Sequence, residues 1–355
     1  MNKKIVINGR FLEQKITGVQ RYALEITKAL DSLLVESEIN FELAIPYSVT
    51  DDLLPNFNNI KILKIGNHTG ILWEQIDFSK YLRKEKGVAL NLCNSTPFFY
   101  TRGITCVHDI TYKINPQFIT TKHLFLAKIW HLLQYFVSIK KTDYVFTVSN
   151  YSKEEICNNY KISKDKIEVA YNGWQHFSTE IEGSDNLCSY PYLNDKDYFF
   201  SLSTMAKNKN FNWLVKAALN NPNSIFVVAG NVDPKKLGNE IKTPPSNLKC
   251  IGYISDNDAK ILMKHCKAFI FPSFYEGFGI PPLEALAMGA KVICSNAACL
   301  PEIFKNCVHY IDPYKNPPNL ENLLTEKTGL ADEVLNLYNW NDSAQKYLTV
   351  LKSLI

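Results

Sequence analysis

Phe271-Pro-Ser-Phe-Tyr-Glu276-Gly-Phe-Gly-Ile-Pro-Pro-Leu-Glu284-Ala-Leu-Ala-Met-Gly-Ala290 is the stretch whose reading decides the fold. It begins where the apolar run Ala268–Phe271 ends, and that run predicts a short buried strand. The chain then enters a loop holding Gly277 and Gly279. Pro281 and Pro282 suit the first turn of a helix, where a missing N–H removes no helical hydrogen bond. Leu283, Ala285, Leu286, Ala287 and Met288 continue that helix, and Gly289 ends it close to a second strand. Strand, glycine loop and helix in this order bring backbone N–H groups and the positive end of a helix dipole to one place. That is a phosphate site by construction.

Two carboxylates frame the loop: Glu276 before it and Glu284, read here as lying in the helix's first turn. A carboxylate beside a bound phosphate is repelled, so each Glu is expected to meet hydroxyl groups instead. Sugars on either side of a diphosphate supply such groups, and the pattern therefore implies a nucleotide-sugar. Ribose falls to Glu284, the diphosphate to the amides of Gly277, Phe278, Gly279 and Ile280, and the donor hexose to Glu276. The plain alternative is that Glu284 merely stabilises a helix N-terminus while Glu276 is solvated. Two Glu, two Gly and two Pro within nine positions favour the ligand.

Outward from this segment, short runs rich in β-branched residues alternate with helical patterns. The first half offers strands at Ile5–Ile7, Phe41–Ile45, Ile60–Ile65, Val88–Leu92, Ile104–Val107, Tyr144–Val148 and Ile167–Val169, with helical stretches such as Val19–Leu34 and Ser152–Tyr160 between them. The second half repeats the pattern at Tyr198–Leu202, Ile225–Ala229, Leu248–Ile251, Ala268–Phe271, Lys291–Cys294 and Val308–Ile311. Such alternation predicts α/β architecture with parallel sheets covered on both faces. At 355 residues the chain is long enough for two domains. The polar stretch 173–195, with Gly173, Gly183, Ser184 and Pro191, reads as a linker. The expectation is two doubly wound, Rossmann-like domains facing across a cleft. Residues 1–172 would form the acceptor-side domain and 196–340 the nucleotide-sugar domain. Ligands in such folds sit at the carboxyl ends of strands.

Three further places meet that condition. Thr17-Gly18-Val19 lies between the first strand and first helix, where glycine allows close backbone approach, although it is no G-x-G-x-x-G fingerprint. His108 follows the strand Ile104–Val107; the alternative is a surface-loop histidine. Asp109 reads as a helix or turn cap. Ser203-Thr-Met-Ala-Lys207-Asn-Lys209-Asn210 follows the first strand of the second half. Its two lysines either support a departing diphosphate or are solvated.

Composition excludes several classes. Hydrophobic residues at 46% and aromatics at 12% rule out a disordered chain, and 39 Lys+Arg against 35 Asp+Glu leaves a net charge of only +4. With no basic block, nucleic acid is not an expected partner. Nine cysteines form no C-x-x-C pair, which fits buried thiols in a reducing cytoplasm. The N-terminal run is too short for a signal peptide, and no run of about 20 apolar residues spans a bilayer. Leu124–Ile139, flanked or interrupted by Lys122, Lys128, Lys140 and Lys141, fits a helix on a sheet with one solvated face, or peripheral contact with the inner face of the plasma membrane. The triplets Asp195-Lys-Asp197 and Asp256-Asn-Asp258 precede a strand and a helix respectively, so no metal site is expected.

The Glu276–Glu284 spacing resembles the E-x7-E motif of retaining family-4 glycosyltransferases, enzymes of the GT-B fold. The likeness extends along nearly the whole chain. Asn8-Gly-Arg-Phe with Thr17-Gly-Val-Gln-Arg-Tyr22, Leu72-Trp-Glu-Gln75, His108-Asp109 and Val148-Ser-Asn-Tyr-Ser-Lys153 are similar to blocks of the family's N-domain. Ala229-Gly230, Ile251-Gly-Tyr253 and Trp340-Asn-Asp-Ser-Ala344 are similar to blocks of its C-domain. The resemblance implies that Gly18 lies near the donor phosphates, that His108 contacts the donor sugar or a phosphate oxygen, and that Lys209 holds the diphosphate. It implies that Glu276 positions the sugar rather than forming a covalent intermediate, and that a helix at about 342–354 returns to the first domain. Ser203 stands where the family usually has glycine, and Thr204 or Asn208 where it often has arginine, so Lys207 is assigned as the second cation. The implied activity is metal- and cofactor-independent hexosyl transfer from a nucleotide-sugar, with GDP-mannose favoured. The implied acceptor is a bacterial O-antigen, capsule or exopolysaccharide glycan on a polyprenyl-diphosphate carrier. The alternatives are a catalytically silent sugar-nucleotide-binding protein, or another GT-B enzyme such as an epimerase or phosphorylase.

Overall fold

All thirteen expected strands are found, each within a residue of its expected limits, in a computed structural model. It describes residues 4–35, 39–118, 122–177, 181, 183, 187, 189–194, 196–233 and 244–355, excepting the side chains of 53 and 122–126. The chain divides into two units, Met1–Asn172 with Asn339–Ile355, and Gly173–Tyr338. The first holds β1 (Lys4–Asn8), β2 (Asn40–Ile45), β3 (Ile60–Lys64), β4 (Val88–Asn91), β5 (Gly103–Cys106), β6 (Tyr144–Thr147) and β7 (Ile167–Val169). The second holds β8 (Tyr198–Leu202), β9 (Ile225–Ala229), β10 (Leu248–Gly252), β11 (Ala268–Phe271), β12 (Val292–Ser295) and β13 (His309–Ile311). The longer helices are α1 (Gly18–Leu33), α2 (Lys122–Lys140), α3 (Asn150–Tyr160), α4 (Phe211–Asn220), α5 (Asp256–His265), α6 (Ile280–Ala287) and α7 (Trp340–Ser353).

Both sheets are parallel. Their orders are β3-β2-β1-β4-β5-β6-β7 and β10-β9-β8-β11-β12-β13. Parallel strands need cover on both faces, so their residues are buried runs rather than alternating ones, as β1 and β11 show with every position buried. In the second unit Phe199, Phe226, Val228, Ile270 and Ile293 from the strands pack with Trp213, Leu214 and Val215 of α4. Each sheet reverses direction once, between β1 and β4 in the first unit and between β8 and β11 in the second. Those reversals open crevices beyond the strands' carboxyl ends, where doubly wound sheets bind ligands.

The last helix, α7, belongs to the first unit. Tyr347 stacks on Phe146 at 3.8 Å, and its hydroxyl lies 3.0 Å from that of Tyr22 on α1. Ser343 Oγ donates to the Tyr171 carbonyl at 2.6 Å, and Lys346 Nζ to that of Val169 at 2.7 Å. The stretch 173–195 does not begin as a free linker. Trp174 Nε1 donates to the Leu335 carbonyl at 2.9 Å and Gln175 Nε2 to that of Tyr338 at 2.9 Å, which fastens its first residues into the second unit. Polar composition suggested a tether, but these side chains spend their polarity on internal hydrogen bonds.

Helix α2 buries Tyr135 and Ile139 against Val107, Val145 and Ile156. An adjoining face exposes Ile129, Leu133 and Phe136, spaced as one helical stripe. Of the lysines that flank or interrupt its apolar run, Lys140 Nζ donates to the Lys161 carbonyl at 3.2 Å, and the Lys122 side chain lies outside the described residues. No helix among the described residues is long and apolar enough to cross a membrane.

Candidate active site

The loops that leave β8 and β11 meet at the second sheet's reversal and are laced together. Phe274 N donates to the Asn208 carbonyl at 2.8 Å, and Asn208 Nδ2 to the Tyr275 carbonyl at 3.3 Å. Asn210, buried and in the left-handed region at φ 54°, sends its amide to the carbonyls of Pro272 at 3.1 Å and Pro313 at 3.0 Å. Asparagine tolerates that conformation better than most residues. Ser203 passes so close to Gly230 that a Cβ there would lie 2.1 Å from the Ser203 carbonyl oxygen, which explains the glycine after β9.

This lacing places Lys209 Nζ 2.8 Å from Glu276 Oε1. The ammonium also lies 5.3 Å from the centroid of the Phe271 ring, within cation–π reach. Residues 67 apart in sequence thus share one spot at the carboxyl ends of neighbouring strands. Lys207 and Lys209 bound a single 3-10 turn, Lys207–Lys209, and Lys207 is exposed.

Beyond Glu276 the loop is buried through Gly277, Phe278 and Gly279. Gly279 has φ +103°, and a Cβ there would meet Leu300 Cδ2 at 2.8 Å, so no other residue fits without strain. Helix α6 starts at Ile280, with both prolines in its first turn. That start corrects one expectation: Glu284 is the fifth helical residue, and the first turn holds no acid. With the left-handed Gly279 as its N-cap the helix begins before the prolines, so Glu284 lies beyond the first turn, where it would cap the N-terminus. Instead Glu284 is buried, and its Oε1 accepts from His176 Nε2 at 2.7 Å.

Two residues here escaped sequence reasoning. His176 was lost in a stretch read as linker, although a lone histidine just after β7 was a signal. Cys299 is fully buried, with Sγ 3.2 Å from the Glu276 carbonyl and 3.3 Å from that of Phe278. Burial pushes the Cys299 thiol well up, so it stays protonated and donates to the glycine loop.

Gly18 and His108 lie in the first unit. Gly18 is the exposed first residue of α1, after a Thr17 whose N–H donates to Gln20 Oε1 at 3.2 Å. His108 is not a surface histidine: it is 6% exposed, and Tyr22, one turn into α1, meets its ring edge-on at 4.8 Å. Its Nε2 donates to the Leu92 carbonyl at 2.9 Å, and the imidazole also interacts with the Cys106 side chain. Asp109 Oδ1 accepts from Thr111 N at 2.8 Å, a turn cap. The Leu72-Trp-Glu-Gln75 block supplies a fully buried carboxylate, Glu74, where the first sheet reverses. Its Oε2 accepts from Ser95 Oγ at 2.7 Å and Asn8 Nδ2 at 3.1 Å, and pairs with Arg10 Nε at 3.1 Å.

Among the described residues no group of three His, Cys, Asp or Glu is arranged to hold a metal ion. Asp256 and Asp258 stand in the first turn of α5 behind the capping Ser255, Asp197 pairs with Lys267 at 3.1 Å, and Asp195 lies outside the described residues.

Two family models match the chain, Glycosyltransferase Family 4 over residues 16–175 and Glycosyl transferases group 1 over residues 190–326. The chain belongs to the family-4 glycosyltransferases. This glycosyltransferase is 26% identical over 348 residues to O-antigen chain mannosyltransferase B of Escherichia coli, with 87% of each chain covered. It is 27% identical over 229 residues to O-antigen chain mannosyltransferase RfbU of Salmonella typhimurium, covering 62% of this chain and 59% of that one. Its fold matches sucrose-phosphate synthase from Thermosynechococcus elongatus with a TM-score of 0.71 over 99% of both chains, at 16% identity. The two parallel α/β units are those of a GT-B glycosyltransferase.

Proposed function

We propose that this glycosyltransferase moves a hexose, with retention at the anomeric carbon, from a nucleoside-diphosphate donor to a hydroxyl of a growing surface glycan. The observation that carries the reading is the Lys209–Glu276 pair at the second sheet's reversal, 2.8 Å apart. Breaking the glycosyl–phosphate bond puts charge on the departing diphosphate, and fixed positive groups aimed there are the largest rate term available. Lys209 supplies one, Lys207 a second, and the Gly277–Ile280 backbone with the α6 dipole the remainder. Glu276 orients the hexose hydroxyls and Glu284 the ribose. The anomeric carbon loses its bond to the phosphate oxygen and gains one to the acceptor oxygen on the same face. The acceptor's proton passes to a leaving phosphate oxygen, so neither a protein nucleophile nor a metal is needed. Gly18 lets the backbone approach the donor phosphates, and His108 serves the donor sugar or a phosphate oxygen.

The names of the relatives support mannose as the hexose and an O-antigen chain as the product, with GDP-mannose as the favoured donor. A polyprenyl-diphosphate-linked acceptor at the cytoplasmic face of the membrane accords with the exposed apolar stripe Ile129, Leu133 and Phe136 on α2. The test is nucleoside diphosphate release from a panel of GDP-, UDP- and dTDP-sugars with lipid-linked acceptor, with and without EDTA. Turnover that persists in EDTA supports the reading; donor binding without any turnover contradicts it and favours a silent binding protein.

A further inference from the structure

We infer that His176 is the positioning residue that aims Glu284 at the donor's ribose. The inference rests on the assignment of Glu284 to the ribose and deepens it. Glu284 sits on α6 with a side chain only 9% exposed, and a carboxylate that buried must be paired. His176 Nε2 lies 2.7 Å from its Oε1, and the imidazole is itself 4% exposed. One carboxylate oxygen is thereby committed to the imidazole. The carboxylate plane and the direction of Oε2 are set with it, ready to accept from the vicinal hydroxyls of a ribose.

The imidazole cannot drift, because its neighbours are fastened on both sides. Trp174 and Gln175 donate to the Leu335 and Tyr338 carbonyls, and Phe177 N donates to the Trp174 carbonyl at 2.8 Å. Phe177 is buried, meets the His176 ring edge-on at 5.5 Å, and lies under Lys260 Nζ at 5.4 Å from its own centroid. A buried histidine with fastened neighbours, holding a carboxylate, is the arrangement by which a supporting residue fixes a ligand-binding group. Its effect should therefore fall on ribose recognition, not on the chemistry at the hexose.

The test is calorimetric titration of the full chain with GDP and 2′,3′-dideoxy-GDP, with the UDP pair run alongside. The variants are His176→Ala, His176→Gln and Glu284→Gln. Removing the support of one charge-assisted hydrogen bond is expected to weaken GDP by about tenfold in His176→Ala while dideoxy-GDP changes less than about twofold. Glutamine, which still offers an N–H, is expected to restore much of the loss. In turnover assays the donor KM should rise with kcat held within about threefold, a split that general damage to the unit would not give. Unchanged GDP affinity in His176→Ala overturns the inference, as does an equal loss for both nucleotides. If Glu284→Gln weakens GDP and His176→Ala does not, the positioning role alone fails. If Glu284→Gln has no effect, or wild-type protein binds neither nucleotide, the ribose assignment fails with it.

Discussion

Replacing Lys209 with alanine separates what its charge does for folding from what it does for the reaction. At 2.8 Å from Glu276 Oε1, the ammonium gains a direct Coulomb attraction of about 6 kcal/mol at an effective dielectric of about 20. Most of that is offset by desolvation and by the screening that a 27% exposed side chain still receives, so the net stabilisation is about 1 kcal/mol. The melting temperature should then fall by only about 2–4 °C. Against a departing diphosphate the same charge acts beside Lys207 and the Gly277–Ile280 amides, and its own share is what the variant removes. Loss of one preorganised electrostatic group typically lowers kcat by about 10²–10³, or about 2.7–4 kcal/mol. Without Lys209 the Glu276 carboxylate also faces the phosphates uncompensated. The double variant Lys209→Ala/Glu276→Gln is therefore expected to be less impaired than the product of the two single effects. The assay is nucleoside diphosphate release at saturating donor, paired with thermal melts of each variant. A Lys209→Ala protein that melts normally and keeps kcat within about threefold of wild type would refute the reasoning.

Other perturbations test the surrounding frame. Gly279→Ala places a methyl group at φ +103° and 2.8 Å from Leu300 Cδ2; a destabilisation of about 1–3 kcal/mol is expected, with weakened nucleotide binding seen by titration. Lys207→Ala is expected to abolish activity if this lysine replaces the family's arginine, while its exposed position leaves the melt unchanged; full activity would remove Lys207 from the site. Tyr347→Ala removes a ring stacked 3.8 Å from Phe146 and should destabilise the first unit by about 3–5 kcal/mol, whereas Tyr347→Phe, which loses the hydroxyl's contacts with Tyr22 and Cys106, should lower stability by about 1 kcal/mol in denaturant titrations.

Much of this molecule was legible because its elements are local. Runs such as Ala268–Phe271 and Ile225–Ala229 read as buried parallel strands from their apolar, β-branched character alone, and both appear with those limits. The glycine loop and its two glutamates were legible because one strand–loop–helix unit carries them all. What stayed hidden depends on tertiary closure. Nothing in the sequence pairs Lys209 with Glu276, or His176 with Glu284 across 108 positions; those contacts exist because of sheet order and the lacing through Asn208 and Asn210. The place of Glu284 on α6 stayed hidden for a different reason: the prolines do lie in the first turn, but the helix begins one residue before them, after the left-handed Gly279, and backbone angle is invisible in composition. His108 shows the reverse case, a residue with the right strand-end position whose Nε2 is already bound to Leu92.

The most direct test is a crystal structure of the chain with GDP-mannose or its non-hydrolysable analogue. Donor seated beyond β8 and β11, with diphosphate oxygens in hydrogen-bond reach of Lys209 and the Gly277–Ile280 amides, ribose on Glu284 and hexose on Glu276, is the predicted result. A sugar-nucleotide bound elsewhere, with the Lys209–Glu276 pair intact and untouched, would contradict it.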